Sequence, residues 1–197
     1  MSARLFKSLH SGEQVATVLR PLSYARLVKM LNNQARDATS VVDPGTEIRI
    51  RVDEESFAVL NVVNVEVDFD LLEEAVTILL DNAVKYRFAS TPVRTSGGLS
   101  GTGRFQISVL NKGLPIHPHE ISKCVERGWR GDRARLTTGE GSGIGLWLVD
   151  NIMRAHKGDL IIVATTPGGM TEVKQAFPAK GQMSSSSKAG QALLIYA

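Results

Sequence analysis

Three short segments of the sequence carry residue types that could do chemistry. The first is DNAVKY, Asp81–Tyr86, which ends an otherwise apolar run. Helical i, i+4 spacing gives one face shared by Ile78, Asn82, Lys85 and Tyr86. An amide oxygen, an ammonium and a phenol on one face could serve a metal ion and phosphates. A solvated lysine and an asparagine bonded to nearby backbone would give the same pattern, so this segment alone leaves both interpretations open.

The second segment is NKGLPI, Asn111–Ile116, directly after a predicted strand. A polar side chain at a strand end, followed by Gly113, can face a cleft while the backbone turns sharply. A plain turn would use the same residues, so the segment indicates a site only in combination with the others.

The third segment is GEGSGIGL, Gly139–Leu146, which opens a predicted helix. Glycines let backbone N–H groups approach a ligand, and a helix start favours anions. The segment is not a Walker loop, because no Lys-Ser/Thr pair follows the glycines. It does not fit a dinucleotide fingerprint either, because a long irregular stretch precedes it where that motif requires a strand. An anion site of another type and an ordinary Gly-rich turn both stay open.

Hydrophobic periodicity predicts the elements that position these segments. One helix is predicted at about 23–38, a second begins at Asp70, and a third runs from Ile144 to His156. The start of the second is indicated by Asp70 and Glu73, which have the spacing of a capping box. Strands are predicted at Ile48–Val52, Val59–Val63, Phe105–Leu110, Leu160–Ala164 and Thr171–Phe177, with Val65–Val67 leading into the second helix. The predicted connections are turns at Asp43–Thr46 and Pro167–Gly169, a Gly/Ser-rich link at Ser96–Gly103, and a long irregular segment at 111–143.

Composition predicts one globular domain with extensions. The chain has 197 residues, of which 43% are hydrophobic and 22% are charged, a balance that allows one sizeable core. No run approaches the roughly 18 unbroken apolar residues of a membrane span, and the N-terminus lacks the apolar core of a signal peptide. Cys124 is the only cysteine, which excludes an internal disulfide and fits a reducing cytoplasm. The formal net charge of +3 is too small and too evenly spread to indicate nucleic acid.

Together, and in this order, the three segments resemble the N, G1 and G2 boxes of the GHKL ATP-binding superfamily, which includes gyrase, the heat-shock chaperone ATPases, mismatch-repair proteins and histidine kinases. DNAVKY resembles the histidine-kinase N box, and GSGIGLWLVDNIMRAHKGDL resembles that family's G2 box with its following helix and strand. Trp129 and Arg130, in ERGWRGD, match the F box and its phosphate-contacting arginine. LFKSLHSGE resembles the end of a dimerisation helix. The resemblance covers about residues 15–178.

The resemblance implies an α+β fold of the Bergerat type. This fold is a two-layer α/β sandwich, with a mixed, mainly antiparallel sheet of about five strands and three helices on one face. The expected organisation is the end of a dimerisation helix or a lead-in at 1–14, the ATP-binding catalytic domain at 15–179 and a flexible tail at 180–197. Within that tail, Leu193–Tyr196 could be an added edge strand or simply disordered.

The resemblance also implies ATP and Mg²⁺ as ligands. Asn82 would hold Mg²⁺ through its side-chain oxygen, since Mg²⁺ keeps several waters and needs few protein ligands. Lys85 would contact phosphate, and Tyr86 would pack beside the nucleotide. Arg130 would be the phosphate contact of a lid at Glu126–Glu140. The other expected nucleotide-binding residues belong to the two glycine-containing boxes: Asn111, Gly113, Gly141, Ser142, Gly143, Gly145 and Leu146.

Two residues depart from the family pattern. Asn111 stands where the family usually has an Asp that accepts the adenine amino proton. An amide can accept from that group and donate to the neighbouring ring nitrogen, whereas a flipped amide could serve guanine. Ile78 stands where gyrase-like ATPases have the Glu that activates water, and where most histidine kinases have a second Asn. Because isoleucine can do neither job, the sequence predicts that hydrolysis is not the main activity.

None of the four histidines matches the expected phosphoacceptor motif, in which His is followed by an acidic residue and, shortly after, by Arg and Pro. His10 is followed by Ser-Gly-Glu, and His156 is expected to interact with the C-terminus of its own helix. His117 and His119 flank Pro118, and this pair could bind a metal only with further ligands. No catalytic residue is therefore assigned within the chain itself.

These expectations point to the catalytic domain of a sensor histidine kinase of a two-component system, inactive in isolation. It would transfer the γ-phosphoryl group of ATP to a histidine on a dimerisation domain outside this chain. The expected partners are that domain and, through it, a response regulator. No nucleic acid and no direct membrane contact are expected, and the expected location is cytoplasmic.

Two rival interpretations stay open. One is a degenerate nucleotide-binding or scaffold domain, which Ile78 and Asn111 could mark. The other is a serine kinase of the anti-sigma type, against which the DNAVKY segment and the resemblance to a dimerisation helix count.

Overall fold

The computed structural model describes residues 15–40, 48–137, 141–165 and 168–181. The strands are β1 (Arg20–Pro21), β2 (Ile50–Val52), β3 (Val63–Val67), β4 (Val93–Leu99), β5 (Phe105–Lys112), β6 (Asp159–Thr165), β7 (Met170–Phe177) and β8 (Ala179–Gly181). The α-helices are α1 (Tyr24–Ser40), α2 (Phe69–Tyr86), α3 (Asp132–Thr137) and α4 (Gly145–Ala155), with 3-10 helices at Glu55–Asn61 and Pro118–Val125. The predicted turn at 43–46, residues 1–14 and the tail beyond Gly181 lie outside the described residues.

A mixed sheet of five strands forms one layer, in the order β2-β4-β5-β7-β6. Only β2 and β4 pair in parallel, and the other neighbours are antiparallel. Alternate residues of β5, namely Phe105, Ile107 and Val109, are buried on the face toward the helices, as the two-residue period of a strand requires. The predicted mixed, mainly antiparallel sheet is confirmed.

Three helices form the second layer. α2 contacts both α1 and α4, and it also packs against β4 and β5. Its buried side chains recur every three or four residues, which gives an apolar stripe that the sheet and the neighbouring helices cover. Those side chains are Leu71, Leu72, Ala75, Val76, Leu79, Leu80 and Ala83. The expected two-layer α+β sandwich is therefore confirmed.

A second, small sheet in the order β1-β3-β8 was not predicted. β3 pairs with β1 through Glu66 and Val67, and with β8 through its first three residues. This sheet includes Lys180 and Gly181, which the sequence assigned to the flexible tail. Residues 15–19, at the start of the expected catalytic domain, form neither helix nor strand.

Two predicted segments around Phe57 are wrong. In place of a strand near Val59–Val63, a 3-10 helix buries Phe57 and Leu60, and the strand begins only at Val63. The predicted connection at Ser96–Gly103 is strand as far as Leu99. Gly97 explains both differences, because a Cβ at Gly97 would overlap the Phe57 ring. The missing side chain therefore leaves room for the ring, and glycine does not mark a break in the strand here.

Other boundaries shift as well. α2 is capped by Asp68, whose Oδ1 accepts a hydrogen bond from Leu71 N at 3.4 Å, and the predicted cap at Asp70 is wrong. The segment 111–143 is less irregular than predicted, because it contains the end of β5, a 3-10 helix and α3. His156 bonds its helix C-terminus as predicted, since its Nδ1 lies 2.8 Å from Ile152 O.

In the described part of the chain, no helix is long and apolar enough to span a bilayer.

Candidate functional site

The three sequence segments meet around one cavity of about 320 Å³, a size typical of small-ligand sites. α2 contributes a stripe at helical spacing, which consists of Ile78, Asp81, Asn82, Lys85 and Tyr86. The opposite stripe of α2 is buried in the core, so packing fixes which face of the helix looks into the cavity. The face predicted from i, i+4 spacing is the cavity wall.

The end of β5 supplies a polar group to the same cavity. Asn111 is only 7% exposed and lines the wall beside Val109. Its neighbour across the β5–β7 ladder is Thr171, which is 6% exposed and also lines the cavity. Thr171 Oγ1 is buried without a hydrogen-bond partner among the described residues. A buried hydroxyl of this kind next to an amide is suited to a ligand with donors and acceptors.

Thr171 was missed in the sequence, where it is only the first residue of a predicted strand. Its signal is its pairing with Asn111, which lies 60 residues earlier and becomes a neighbour only when β5 and β7 pair. No local pattern could have revealed this relationship.

The Gly-rich segment forms the wall opposite α2. Gly141, Ser142, Gly143, Gly145 and Leu146 all line the cavity. α4 begins at Gly145, and its N-cap residue makes no side-chain capping bond. The first N–H groups of the helix, together with its dipole, therefore favour an anion at this end.

Two glycines of this segment have left-handed backbone. Gly141 has φ +137°, and a Cβ there would lie 3.1 Å from Lys85 Nζ. Gly143 has φ +68°, and a Cβ there would lie 2.6 Å from the carbonyl carbon of Gly128. Gly128 N donates to Gly143 O at 3.0 Å. Gly143 therefore lets the start of the predicted lid segment lie directly against the Gly-rich segment.

Cationic side chains gather at the same end. Lys85, Arg130 and Arg133 line the cavity, and a Cβ at Gly141 would be 3.4 Å from Arg130 Cζ. Arg130 Nη2 donates to Ala134 O at 3.1 Å, which ties the arginine to the first turn of α3. The combination of helix N-terminus, ammonium and guanidinium groups suits a polyphosphate.

Acidic groups and the single thiol line the wall as well. Burial raises the pKa of the Asp81 carboxyl. The pKa of the Cys124 thiol is raised to about 11, first by burial and second by the negative charge of Glu120. The thiol is therefore protonated at neutral pH and acts as part of an apolar wall, since only a thiolate is a strong nucleophile.

Gly113 is the one predicted site residue that does not line the cavity. A Cβ there would overlap the carbonyl oxygen of Tyr86, and Gly113 N donates to Gly169 O at 2.7 Å. Gly113 therefore lets the end of β5 approach the end of α2, which holds Asn111 beside the cavity.

The paired histidines of the next loop give no support to a metal site. The rings of His117 and His119 stack with centroids 5.5 Å apart. Among the described residues, no group of three or more His, Cys, Asp or Glu side chains could hold a metal ion. This His pair is thus a ring contact at the start of a 3-10 helix.

The fit of Mg²⁺ depends on the oxygen donors beside the anion end. Asn82 faces the cavity one turn after the apolar Ile78, and Asp81 also lines the wall. Mg²⁺ prefers oxygen ligands and retains several waters, so an amide oxygen next to phosphate oxygens is a sufficient protein donor. The donor set of this chain fits such an ion.

Comparisons with known proteins agree with this geometry. The family model for histidine kinase-, DNA gyrase B-, and HSP90-like ATPases matches residues 67–181. The chain is 34% identical over 131 residues to the sensor histidine kinase YkoH of Bacillus subtilis, covering 66% of this chain and 27% of that protein. It is 33% identical over 130 residues to the sensor histidine kinase CusS of Escherichia coli, covering 64% of this chain and 24% of that protein. The chain thus spans about a quarter of the length of these relatives.

A solved structure supports the fold. The mycobacterial sensor histidine kinase MprB superposes with a TM-score of 0.62 at 22% identity, covering 84% of this chain and all of that one. The family match includes α2, the end of β5 and the Gly-rich segment, and it extends over more than half of the chain. The chain therefore belongs to the histidine kinase-, DNA gyrase B- and HSP90-like ATPase family, and it is similar to the catalytic domains of sensor histidine kinases.

Proposed function

We propose that this chain is the ATP-binding catalytic domain of a sensor histidine kinase and that it donates the γ-phosphoryl group of ATP to a histidine on a dimerisation domain. The observation that carries the proposal is that two groups of polar residues line one cavity. Asn82 and Lys85 lie against the Gly-rich segment at the start of α4, whereas Asn111 and Thr171 are paired across β5 and β7. The first group is suited to phosphates and is called the phosphate end here, and the second is suited to a base and is called the base end.

The base end supports adenine. The Asn111 amide can accept from the adenine amino group and donate to the adjacent ring nitrogen. The hydroxyl of Thr171, which has no hydrogen-bond partner in the described part of the chain, offers a second polar contact at the same place. The apolar neighbours Val109 and Val173 provide surface for the ring faces. A flipped amide would serve guanine, so a comparison of ATP with GTP belongs to the test.

The phosphate end supports a triphosphate. Backbone N–H groups of the Gly-rich segment and of the first turn of α4 would receive phosphate oxygens, as helix N-termini commonly do. Lys85 and Arg130 would neutralise further charge from α2 and from the lid. Asn82 would hold Mg²⁺, and the ion would neutralise part of the phosphate charge.

Transfer is better supported than hydrolysis. Ile78 lies at the position where gyrase-like relatives carry a base, and its apolar side chain lines the cavity. Without a base to activate water, the reaction depends on an acceptor nitrogen brought in line with the γ-phosphate. The partner in this proposal is therefore the phosphoacceptor domain and, through it, a response regulator. The location of the domain in this proposal is the cytoplasm, where ATP is present.

Radiolabelled ATP tests the reaction. The chain alone, a histidine-bearing dimerisation domain of a sensor kinase alone and the mixture are incubated with the nucleotide and Mg²⁺. We expect label on the histidine in the mixture only, with little phosphate release by the chain alone. Strong phosphate release would indicate a hydrolytic ATPase, and label on serine would favour the anti-sigma type. An unlabelled mixture despite ATP binding, with dimerisation domains from several sensor kinases, would favour a degenerate module.

A further inference from the structure

The two helices that form the cavity wall also meet at the far side of the domain. The C-terminal half of α2 and the N-terminus of α4 line the cavity. At their other ends, the N-cap of α2 is Asp68 and the C-cap of α4 is His156. Asp68 N donates to His156 Nε2 at 2.9 Å. Asp68 is 2% exposed and His156 is 3% exposed, so this joint is inside the protein.

The hydrogen bonds of His156 define one tautomer of its imidazole ring. Because Nε2 accepts from a backbone N–H, the proton of the neutral imidazole is on Nδ1. Nδ1 then donates to Ile152 O at 2.8 Å, one turn back on α4. The ring edge also packs at 90° against Phe177, with centroids 5.6 Å apart. The imidazole therefore links the N-cap residue of α2 to the last turn of α4, and both ring nitrogens are hydrogen-bonded.

A third element is held at the same joint. The lead-in, defined here as Val15–Leu22, crosses the start of α2, where Val18 N donates to Asp68 Oδ2 at 2.8 Å. The other carboxylate oxygen, Oδ1, caps the helix through Leu71 N. β1 is part of the lead-in and pairs with β3, and both Val15 and Leu22 belong to the core. One carboxylate thus ties the lead-in and the helix cap together.

We propose that Asp68 and His156 are positioning residues that couple docking of the lead-in to nucleotide binding at the far end of α2 and α4. The inference rests on the proposed nucleotide site. α4 has 11 residues and is about 16 Å long, so a displacement of its C-cap moves Gly145 at the phosphate end. Packed helices transmit such shifts because their contacts cannot deform continuously.

Coupling of this kind is reciprocal. If a docked lead-in holds α2 and α4 in the arrangement that binds nucleotide, then bound nucleotide must hold the lead-in more firmly by the same factor. The lead-in is the N-terminal edge of the domain, so the joint gives the segment before it a mechanical connection to the phosphate end.

Hydrogen exchange of the lead-in, with and without Mg-ATP, tests the proposal in the full chain. In Asp68→Asn the side-chain oxygen can still accept the capping bond from Leu71 N. An NH₂ group then stands in place of the oxygen that accepts from Val18 N, and it cannot accept that bond. We expect Asp68→Asn to remove the nucleotide-induced protection of residues 15–22 and to weaken ATP binding about fivefold, the low end of typical couplings. Asp53→Asn is the matched control, because Asp53 Oδ1 accepts from Ser56 N at the start of a 3-10 helix away from the joint.

Two variants at His156 separate coupling from folding. His156→Leu removes both bonds, whereas His156→Gln restores an acceptor near Nε2. We expect His156→Gln to recover ATP affinity and lead-in protection relative to His156→Leu, with melting temperatures measured for every variant. The proposal is overturned if ATP binds the parent without slowing exchange of the lead-in, or if Asp68→Asn keeps both parental affinity and parental protection. If the parent binds no ATP, the proposed function fails first, and this inference fails with it.

Discussion

Asn82 on α2 and Gly145 at the start of α4 lie face to face, so that a Cβ at Gly145 would be 3.3 Å from Asn82 Nδ2. The same Cβ would be 3.1 Å from Ile78 Cγ2. The absence of a side chain at Gly145 thus brings the candidate metal ligand next to the helix N-terminus. The apolar side chain of Ile78 packs beside that contact.

Gly145→Ala is predicted to weaken Mg-ATP binding without destabilising the fold. The added methyl group presses on Ile78 and displaces the Asn82 amide, while alanine favours helix at the first residue of α4. We expect about a tenfold loss of affinity, or ~1.4 kcal/mol, by titration calorimetry. Gly98→Ala is the control, because a Cβ there meets no atom within 4 Å. Parental affinity in Gly145→Ala would contradict this geometry.

Asn82→Ala is predicted to remove most of the Mg²⁺ dependence of ATP binding while the fold stays intact. The Asn82 amide lies beside Gly145 at the start of α4, and Ile78, one turn before it, carries no oxygen that could replace it. ATP affinity is measured with Mg²⁺ and with a chelator. The control is Asn151→Ala, since the amide of Asn151 bonds Trp147 O on α4 outside the cavity. An equal Mg²⁺ enhancement in Asn82→Ala and parent would refute the metal role.

Thr171→Val is predicted to lower ATP affinity but not stability. The Thr171 hydroxyl is buried without a partner among the described residues, so its removal costs no internal hydrogen bond. We expect about a threefold weaker Kd, near 0.6 kcal/mol, with an unchanged or higher melting temperature. Thr95→Val is matched, because its hydroxyl is likewise buried and unpartnered but does not line the cavity. Equal nucleotide affinities in both variants and the parent would place Thr171 outside the base pocket.

Cys124 is predicted to react slowly with iodoacetamide, and more slowly still with ATP bound. The pKa of its thiol is raised from 9.0 to about 11, so the labelling rate should rise about tenfold per pH unit between pH 8 and 10 without a plateau. Because the unfolded thiol ionises first, its contribution to stability is present below pH 9 and is lost as pH rises toward 11. A plateau near pH 9 in the native protein would contradict the buried environment.

Local patterns predicted most helices and strands, but not the features that depend on tertiary packing. The sequence predicted the cap of α2 at Asp70, whereas the structure has it at Asp68, to which the lead-in and α4 both bond. The strand through Gly97 and the 3-10 helix through Phe57 each look irregular alone. They make sense only as one packed pair.

The candidate site also contains residues that local patterns predict and residues that only tertiary packing brings in. The stripe of α2 and the Gly-rich segment are local patterns, so their cavity-lining residues could be read from spacing and resemblance. Gly113, which the resemblance assigned to cofactor binding, does not line the cavity, and its close neighbours Tyr86 O and Gly169 O belong to other parts of the chain that no local pattern predicts. Thr171 enters the site only through the β5–β7 register.

Titration calorimetry of the chain with ATP, ADP and GTP, with and without Mg²⁺, tests the central claim most directly. The cavity predicts saturable binding of ATP and ADP with Kd between about 1 μM and 1 mM, tighter with Mg²⁺ for ATP, and weaker binding of GTP. No saturable heat at millimolar ATP, together with no thermal shift, would contradict the assignment of this cavity as a nucleotide site.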